Sequence, residues 1–261
     1  MSPLGFNLVG TAVVTVVAFA LTFWIAVARR RYDTVDTAWG LGFALVAVVT
    51  FALSSGHGDL TARLLSTALT VVWGMRLGVH IHRRNHGKPE DPRYADLLAK
   101  GTRRPKTRMF IRVYLLQAVL LWLVSLPVQV AQYGGRPGVA GYAGALVWLV
   151  GLVFEAVGDQ QLSRFRADPA NKGEVLNTGL WRYTRHPNYF GDACVWWGLF
   201  LLACHSWLGL ATIVSPLVMT ALLAKGTGKP MLEKGMAERR PGYVDYVRST
   251  SGFVPLPPKR S

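Results

Sequence analysis

The chain alternates long apolar runs with short polar stretches that are mostly basic. Residues 3–28 carry no charge and are followed by Arg29, Arg30 and Arg31. A helix needs about 20 apolar residues to cross the hydrocarbon of a bilayer, so this run predicts a first membrane span. A secretory signal has a basic stretch ahead of its apolar core, and none precedes this one. Residues 37–55 predict a second span, entered through Asp33 and Asp36, and residues 60–81 a third that carries Arg63, Arg76 and His80. The fourth and fifth are predicted over 112–133 and 137–160, with Glu155 and Asp159 near the end of the fifth. Between 193 and 224 the only acidic or basic residue is His205. That stretch is too long for one span. A short hairpin at 204–207 divides it, giving spans over 189–204 and 207–224, the last kinked at Pro216. Residues 225–261 are too polar to span and form a tail.

Charge sets the orientation. Of 29 Lys and Arg residues, 26 fall in four segments: 29–31, 83–112, 164–185 and 225–260. Seven spans put all four on one side, which the positive-inside rule makes cytoplasmic. Six spans would leave the eight basic residues of the tail outside, so that count is rejected. The expected fold is an all-α integral membrane protein, one seven-transmembrane-helix bundle over 1–261, with the N-terminus outside and the C-terminus cytoplasmic. Its outer loops are short, so its chemistry faces the cytoplasm, and a bacterial inner membrane is the expected location.

Composition agrees. Hydrophobic residues make up 51% and charged residues 16%, which excludes an ordinary soluble surface and also disorder. The net charge of +15 would serve a nucleic-acid binder only on a soluble surface, so no nucleic-acid partner is expected. Cys194 and Cys204 lie in apolar sequence, and no histidine spacing has the H-E-x-x-H form, so neither a disulfide framework nor a metal site is expected. Gly141, Gly144, Gly151 and Gly158 suit close helix packing in lipid, and leave the oligomeric state open.

Ionisable groups inside spans are costly and therefore functional suspects. Glu155 and Asp159 are four apart, and Arg166 continues their stripe if the helix persists. Arg76 and His80 are also four apart, while Asp36 and Asp192 open spans two and six. For Asp33, Arg63 and Arg136, pairing or an interfacial position is the expected reading. The most polar segment, NKGEVLNTGLWRYTRHPNYFGD over 171–192, leads into span six. Pro187 sits where a helix starts, which puts Asn188 and Asp192 on one face. Lys172, Arg182 and Arg185 place positive charge beside that N-terminus, a recipe for holding phosphate. Trp181, Tyr183 and Tyr189 suit stacking on a planar ring or anchoring at the interface. In the tail, Lys229 and Glu233 are four apart on a predicted helix, and GYVDYVRSTSGFVPLPP either lies on the membrane surface or folds back over a cofactor. There is no G-x-G-x-x-G, so any dinucleotide binds without a Rossmann domain.

The run ADPANKGEVLNTGLWRYTRHPNYFGD, with GDQQLSRF before it, resembles the DUF1295 family, part of the steroid 5-alpha-reductase C-terminal superfamily. VDTAWGLGF, WGMRLGVHIHRR and EDPRYADL extend the resemblance over about 33–255. It implies a membrane reductase that uses NADPH to reduce a carbon–carbon double bond in a lipid or steroid-like substrate taken from the bilayer. By position it implies that Asp159 and Arg166 hold the cofactor and that Trp181, Asn188, Tyr189 and Asp192 cradle its ribose and ring ends. Lys229 and Glu233 resemble the basic–acidic pair of the last cytoplasmic helix, and Tyr243 a cofactor-contacting tyrosine beyond it. Arg166, Lys172, Arg182 and Arg185 would meet the phosphates. In the steroid reductases a glutamate on helix two and a tyrosine on helix three polarise the substrate ketone. Here the nearest acid is Asp36, and Trp73 stands at the matching place on span three, with Arg76 and His80 below it. That departure counts against a 3-oxo-steroid and makes Asp36 or His80, beside Arg76, the expected catalytic group. Two other readings stay open: an S-adenosylmethionine-dependent isoprenylcysteine or phospholipid methyltransferase, which shares an RHPxYxG-like segment, and a non-enzymatic scaffold or permease.

Overall fold

The computed structural model describes residues 1–99, 104–226 and 228–259. Among these the chain is helical throughout, with no strand and one isolated bridge, Thr184 to Ser251. The helices are α1 (Pro3–Arg29), α2 (Thr34–Leu53), α3 (Leu60–Asn85), α4 (Pro92–Ala99), α5 (Pro105–Met109), α6 (Leu116–Val124), α7 (Leu126–Ala131), α8 (Val139–Ala167), α9 (Pro187–Ala203), α10 (Trp207–Ala211), α11 (Val214–Ala224), α12 (Lys229–Glu233), α13 (Met236–Arg239) and α14 (Tyr243–Ser249). Among the described residues six helical segments are long and apolar enough to cross a membrane. These are α1, α2, α3, the stretch Pro105–Val124, α8 and the segment that starts at Trp207, whose apolar part is α10 and α11. Their outward faces are apolar: on α1, Phe6, Val13, Leu21 and Trp24 are all exposed, as lipid contact requires.

The helix limits differ from the sequence pattern for identifiable reasons. The second helix starts at Thr34, and Glu90 accepts the two backbone N–H groups just ahead of it, those of Tyr32 (2.7 Å) and Asp33 (2.8 Å). The third runs on to Asn85, where His82, Arg83 and Arg84 complement the negative end of its dipole. The predicted fourth span begins earlier, passes through a π-helical turn at Phe110–Leu115 and breaks at Ser125, ahead of Pro127 in the first turn of α7. The last apolar segment breaks at Thr212 and Ile213, not at Pro216. Pro216 lies in the first turn of α11, where its missing N–H removes no helical bond. Lys100, Arg103 and Arg260 of the basic segments lie outside the described residues.

The chain divides into two compact units. The first comprises Met1–Gly141 and Leu202–Ser215. In it, α2 and α3 meet at Gly40, Gly74 and Gly78, where any Cβ would strike the opposing backbone or Leu41. Several buried polar side chains in this unit are paired. Asn7 and Thr11 bond Gln129 at 3.1 and 2.6 Å, and Arg63 donates to Ser54 Oγ (2.9 Å) and the Phe51 carbonyl (2.7 Å). Asp33 pairs with Arg31 at 2.7 Å, and Arg136 is exposed in a loop.

The second unit comprises Tyr142–Leu201 and Pro216–Ser261. Its α8 and α9 cross through Gly144 and Gly151 on one side and Gly191 and Gly198 on the other, pairs seven residues apart that leave backbone against backbone. The polar segment 168–186, most of α11 and the tail build the rest of this unit.

Candidate functional site

Two polar clusters stand out, one in each unit. The larger is in the second unit, where the segment before α9 is fixed from two sides. On the α8 side, Trp181 Nε1 donates to the Gly158 carbonyl (3.0 Å), and Gln161 accepts the N–H of Leu180 (3.0 Å). Gly179 has φ +59°, and a side chain there would collide with Gln161, so the approach requires glycine. On the tail side, backbone bonds join Arg185 N–H to the Ser251 carbonyl (2.9 Å) and Leu256 N–H to the Tyr183 carbonyl (3.0 Å). Thr184 Oγ1 donates to the Phe253 carbonyl (2.8 Å), and the Tyr246 hydroxyl donates to the Trp181 carbonyl (2.5 Å).

At the centre of this seam lies one carboxylate. Glu233, the last residue of α12, accepts from Arg185 Nε at 2.9 Å and sits 2.9 Å from His186 Nε2. Burial alone would raise its pKa, but those two bonds outweigh it and pull the group down to about 2. Arg185 Nη1 donates to the carbonyls of Val247 (3.2 Å) and Thr250 (2.6 Å) and Nη2 to the second Glu233 oxygen (3.4 Å), so its buried guanidinium is a structural tie within the seam. The His186 ring lies parallel to that of Tyr189, 5.4 Å away. Tyr243 is buried beside the same group, and burial first, then the Glu233 charge, push its phenol up to about 12. Lys229 Nζ sits over Gly252, whose missing side chain makes room for it.

The stripe expected along α8 persists, because the helix continues to Ala167. Glu155 and Asp159 are both buried, and Asn188, in the first turn of α9, donates to Asp159 at 3.1 Å. Asp192 is buried one turn further along α9. The cations divide differently from their order in sequence. Arg166 and Lys172 line a cleft of about 330 Å³ together with Asn171, Asp168 and Arg240. Arg182 lines a second cleft of about 410 Å³ with Glu174, Asn177, Asp245 and Tyr246. Arg240 also donates to the Glu174 carbonyl, which fixes the tail against the segment between the two clefts.

The smaller cluster is in the first unit. Asp36 accepts from the hydroxyl of Tyr94 at 2.6 Å and from Arg93 at 3.2 Å, and Arg93 also pairs with Asp91 at 2.8 Å. The Arg93 guanidinium lies over the Tyr94 ring, 5.5 Å from its centre. Tyr94 is buried, and desolvation, reinforced by the charge of Asp36, pushes its phenol well above the usual range. Arg76 and His80 are half-buried, one turn apart on α3, on the side that carries the buried Trp73.

Sequence reasoning missed three contributors. His186 lies within the RHPNYFGD run, and its place between Arg185 and Pro187 was the available signal. Tyr94 lies in the EDPRYADL stretch, but nothing local indicates that it reaches Asp36, 58 residues away. Arg240 has no local signal at all.

Residues 22–250 match the family described as a protein of unknown function (DUF1295). The chain is 24% identical over 265 residues to an uncharacterized protein of Schizosaccharomyces pombe, an alignment covering 87% of this chain and 71% of that one. No solved structure matches.

Proposed function

The chain belongs to the DUF1295 family, and from that premise we propose that it is a membrane-embedded, NADPH-dependent reductase of the steroid 5-alpha-reductase type. Its substrate is a lipid or steroid-like molecule carrying a carbon–carbon double bond. The observation that carries this reading is convergence: Arg166 from α8, Lys172 from the following segment and Arg240 from the tail line one cleft. Three cations around one cleft, against the single carboxylate of Asp168, match the chemistry of a phosphate-bearing ligand. A dinucleotide supplies hydride when bound, and the protein positions it and excludes water. In this reading Arg166, Lys172 and Arg240 hold phosphate, with Arg182, Asn177 and Tyr246 lining the neighbouring cleft. Asn188 and Asp159 fix the start of α9, and Glu233 with Arg185 closes the tail over that segment.

The acid of this proposal is Asp36 together with Tyr94. The Tyr94 phenol donates to the Asp36 carboxylate at 2.6 Å and so positions Asp36, which in its protonated form would deliver the proton to a developing negative charge. Arg93 fixes the position of the carboxylate, and Arg76 and His80 remain candidate polar groups on α3.

The proposal includes the membrane topology. α9 has 17 residues, about 25 Å of helix, at the short end of what spans a bilayer. Counted with the six longer segments it gives seven crossings, with the N-terminus outside and the tail in the cytoplasm of a bacterial cell.

Thermal denaturation of the purified protein in detergent, titrated with NADPH, NADH and S-adenosylmethionine, tests the reading. A ligand that binds only the folded state raises its stability by mass action. NADPH is expected to do so; stabilisation by S-adenosylmethionine alone would instead support the methyltransferase reading, and no response to any of them would remove both.

A further inference from the structure

The outer side of the tail has a character that the site does not explain. In α14 the buried positions are Tyr243, Tyr246 and, just after it, Thr250, one face of a helix. The side opposite them carries Asp245 and Arg248, paired at 3.5 Å, but Val244 and Val247, which flank the buried face, are also exposed. In the irregular chain after it, Val254 and Leu256 are 52% and 54% exposed.

Hydrogen bonds fix the level of these side chains in the second unit. Leu256 N–H bonds the carbonyl of Tyr183, and Arg185 N–H bonds that of Ser251. Tyr183 and Arg185 come immediately before α9, which starts at Pro187, and Pro187 touches Gly158 near the end of the apolar stretch of α8. Val254 and Leu256 are therefore held where apolar helices end, together with the exposed ring of Tyr183, a residue type that favours the headgroup region. The surrounding charge is positive. The tail from 225 to 261 has eight Lys and Arg against Glu233, Glu238 and Asp245, and Glu233 is already engaged by Arg185 and His186.

We propose that Tyr183, Val244, Val247, Val254 and Leu256, rimmed by Arg248 and Lys259, form a membrane-docking surface that seats the tail in an anionic phospholipid leaflet. Aliphatic side chains enter the boundary between headgroups and acyl chains, while the cations meet lipid phosphates. The tail thereby closes its own unit and anchors it to the bilayer. The inference does not depend on which cofactor, if any, the protein uses.

The test uses the full chain in nanodiscs of phosphatidylglycerol and phosphatidylcholine. Nitroxide labels are placed at Leu256→Cys and, as a solvent reference, at Asp245→Cys, both with Cys194→Ala and Cys204→Ala. The label at 256 is expected to be relaxed more by oxygen than by a water-soluble nickel complex, and the label at 245 the reverse. Lys259→Gln is expected to lower the ratio of docked to free tail about fivefold. Hydrogen exchange of the unmodified chain gives an independent reading: residues 244–256 exchange more slowly in phosphatidylglycerol discs than in phosphatidylcholine alone. Equal nickel access at 256 and 245, or exchange unaffected by lipid charge, overturns the proposal. A label at 256 that becomes protected only when another protein is added overturns it too.

Discussion

Glu233 and His186 are 47 residues apart in sequence and 2.9 Å apart in space. Because Arg185 shares the same carboxylate oxygen, one tail residue holds both positions that precede α9. Glu233→Gln keeps the shape and removes the charge. It is expected to weaken the tail's attachment by about 1–2 kcal/mol, the usual worth of hydrogen bonds to a charged group at a half-buried site. Faster limited proteolysis between Lys225 and Lys259, with the membrane helices still protected, is the measurement. Unchanged proteolysis would mean that the backbone bonds alone hold the tail.

The same carboxylate gives a pH dependence with a definite sign. Its pKa is lowered in the folded protein from an ordinary 4.5 to about 2. The stabilisation it provides is therefore complete above about 4.5 and disappears as the pH falls towards 2. Pepsin cleavage of the tail should accelerate across that window in the wild type, beyond the enzyme's own pH profile. In Glu233→Gln that extra acceleration should be absent.

Substitution at the glycine seam of α8 and α9 is expected to be severe. A Cβ on Gly191 would meet the Gly151 carbonyl and the Glu155 backbone, neither of which can turn aside. Gly191→Ala should cost on the order of 1–3 kcal/mol through forced helix separation, read as a lower melting temperature in detergent. Gly135, which has open space around it, should tolerate alanine.

Arg240→Ala and Lys172→Ala, both lining the first cleft, should each weaken NADPH binding about tenfold or more, the worth of one charge-assisted bond. The fold should survive, since neither is in a helix core. Isothermal titration distinguishes this from a general loss of stability.

Asp36→Asn and Tyr94→Phe should each lower turnover by about 10²- to 10⁴-fold, the range for a lost general acid, while leaving NADPH affinity unchanged. Complementation of a deletion strain, scored by accumulation of an unsaturated lipid, provides the assay before the substrate is in hand. Full complementation by Asp36→Asn would remove this residue from the chemistry.

The sequence by itself determined the helical class and most of the span positions. Apolar run length is a local property, and a bilayer imposes it directly on the chain. It also marked the segment around 171–192 and the start of α9 at Pro187, because proline and the polar–aromatic composition carry their meaning locally. What tertiary structure decided is how those residues are used. Arg185 looks like Lys172 and Arg182 in the sequence, yet it is buried in a web of carbonyls with Glu233, while Lys172 joins Arg166 and Arg240 at an open cleft. Asp36 reads as a lone acid at a helix start until Arg93 and Tyr94 arrive from 57 and 58 residues away. The reason is physical: a charged side chain's role is fixed by the donors and acceptors that surround it. In this chain those partners come from segments whose meeting no local pattern encodes.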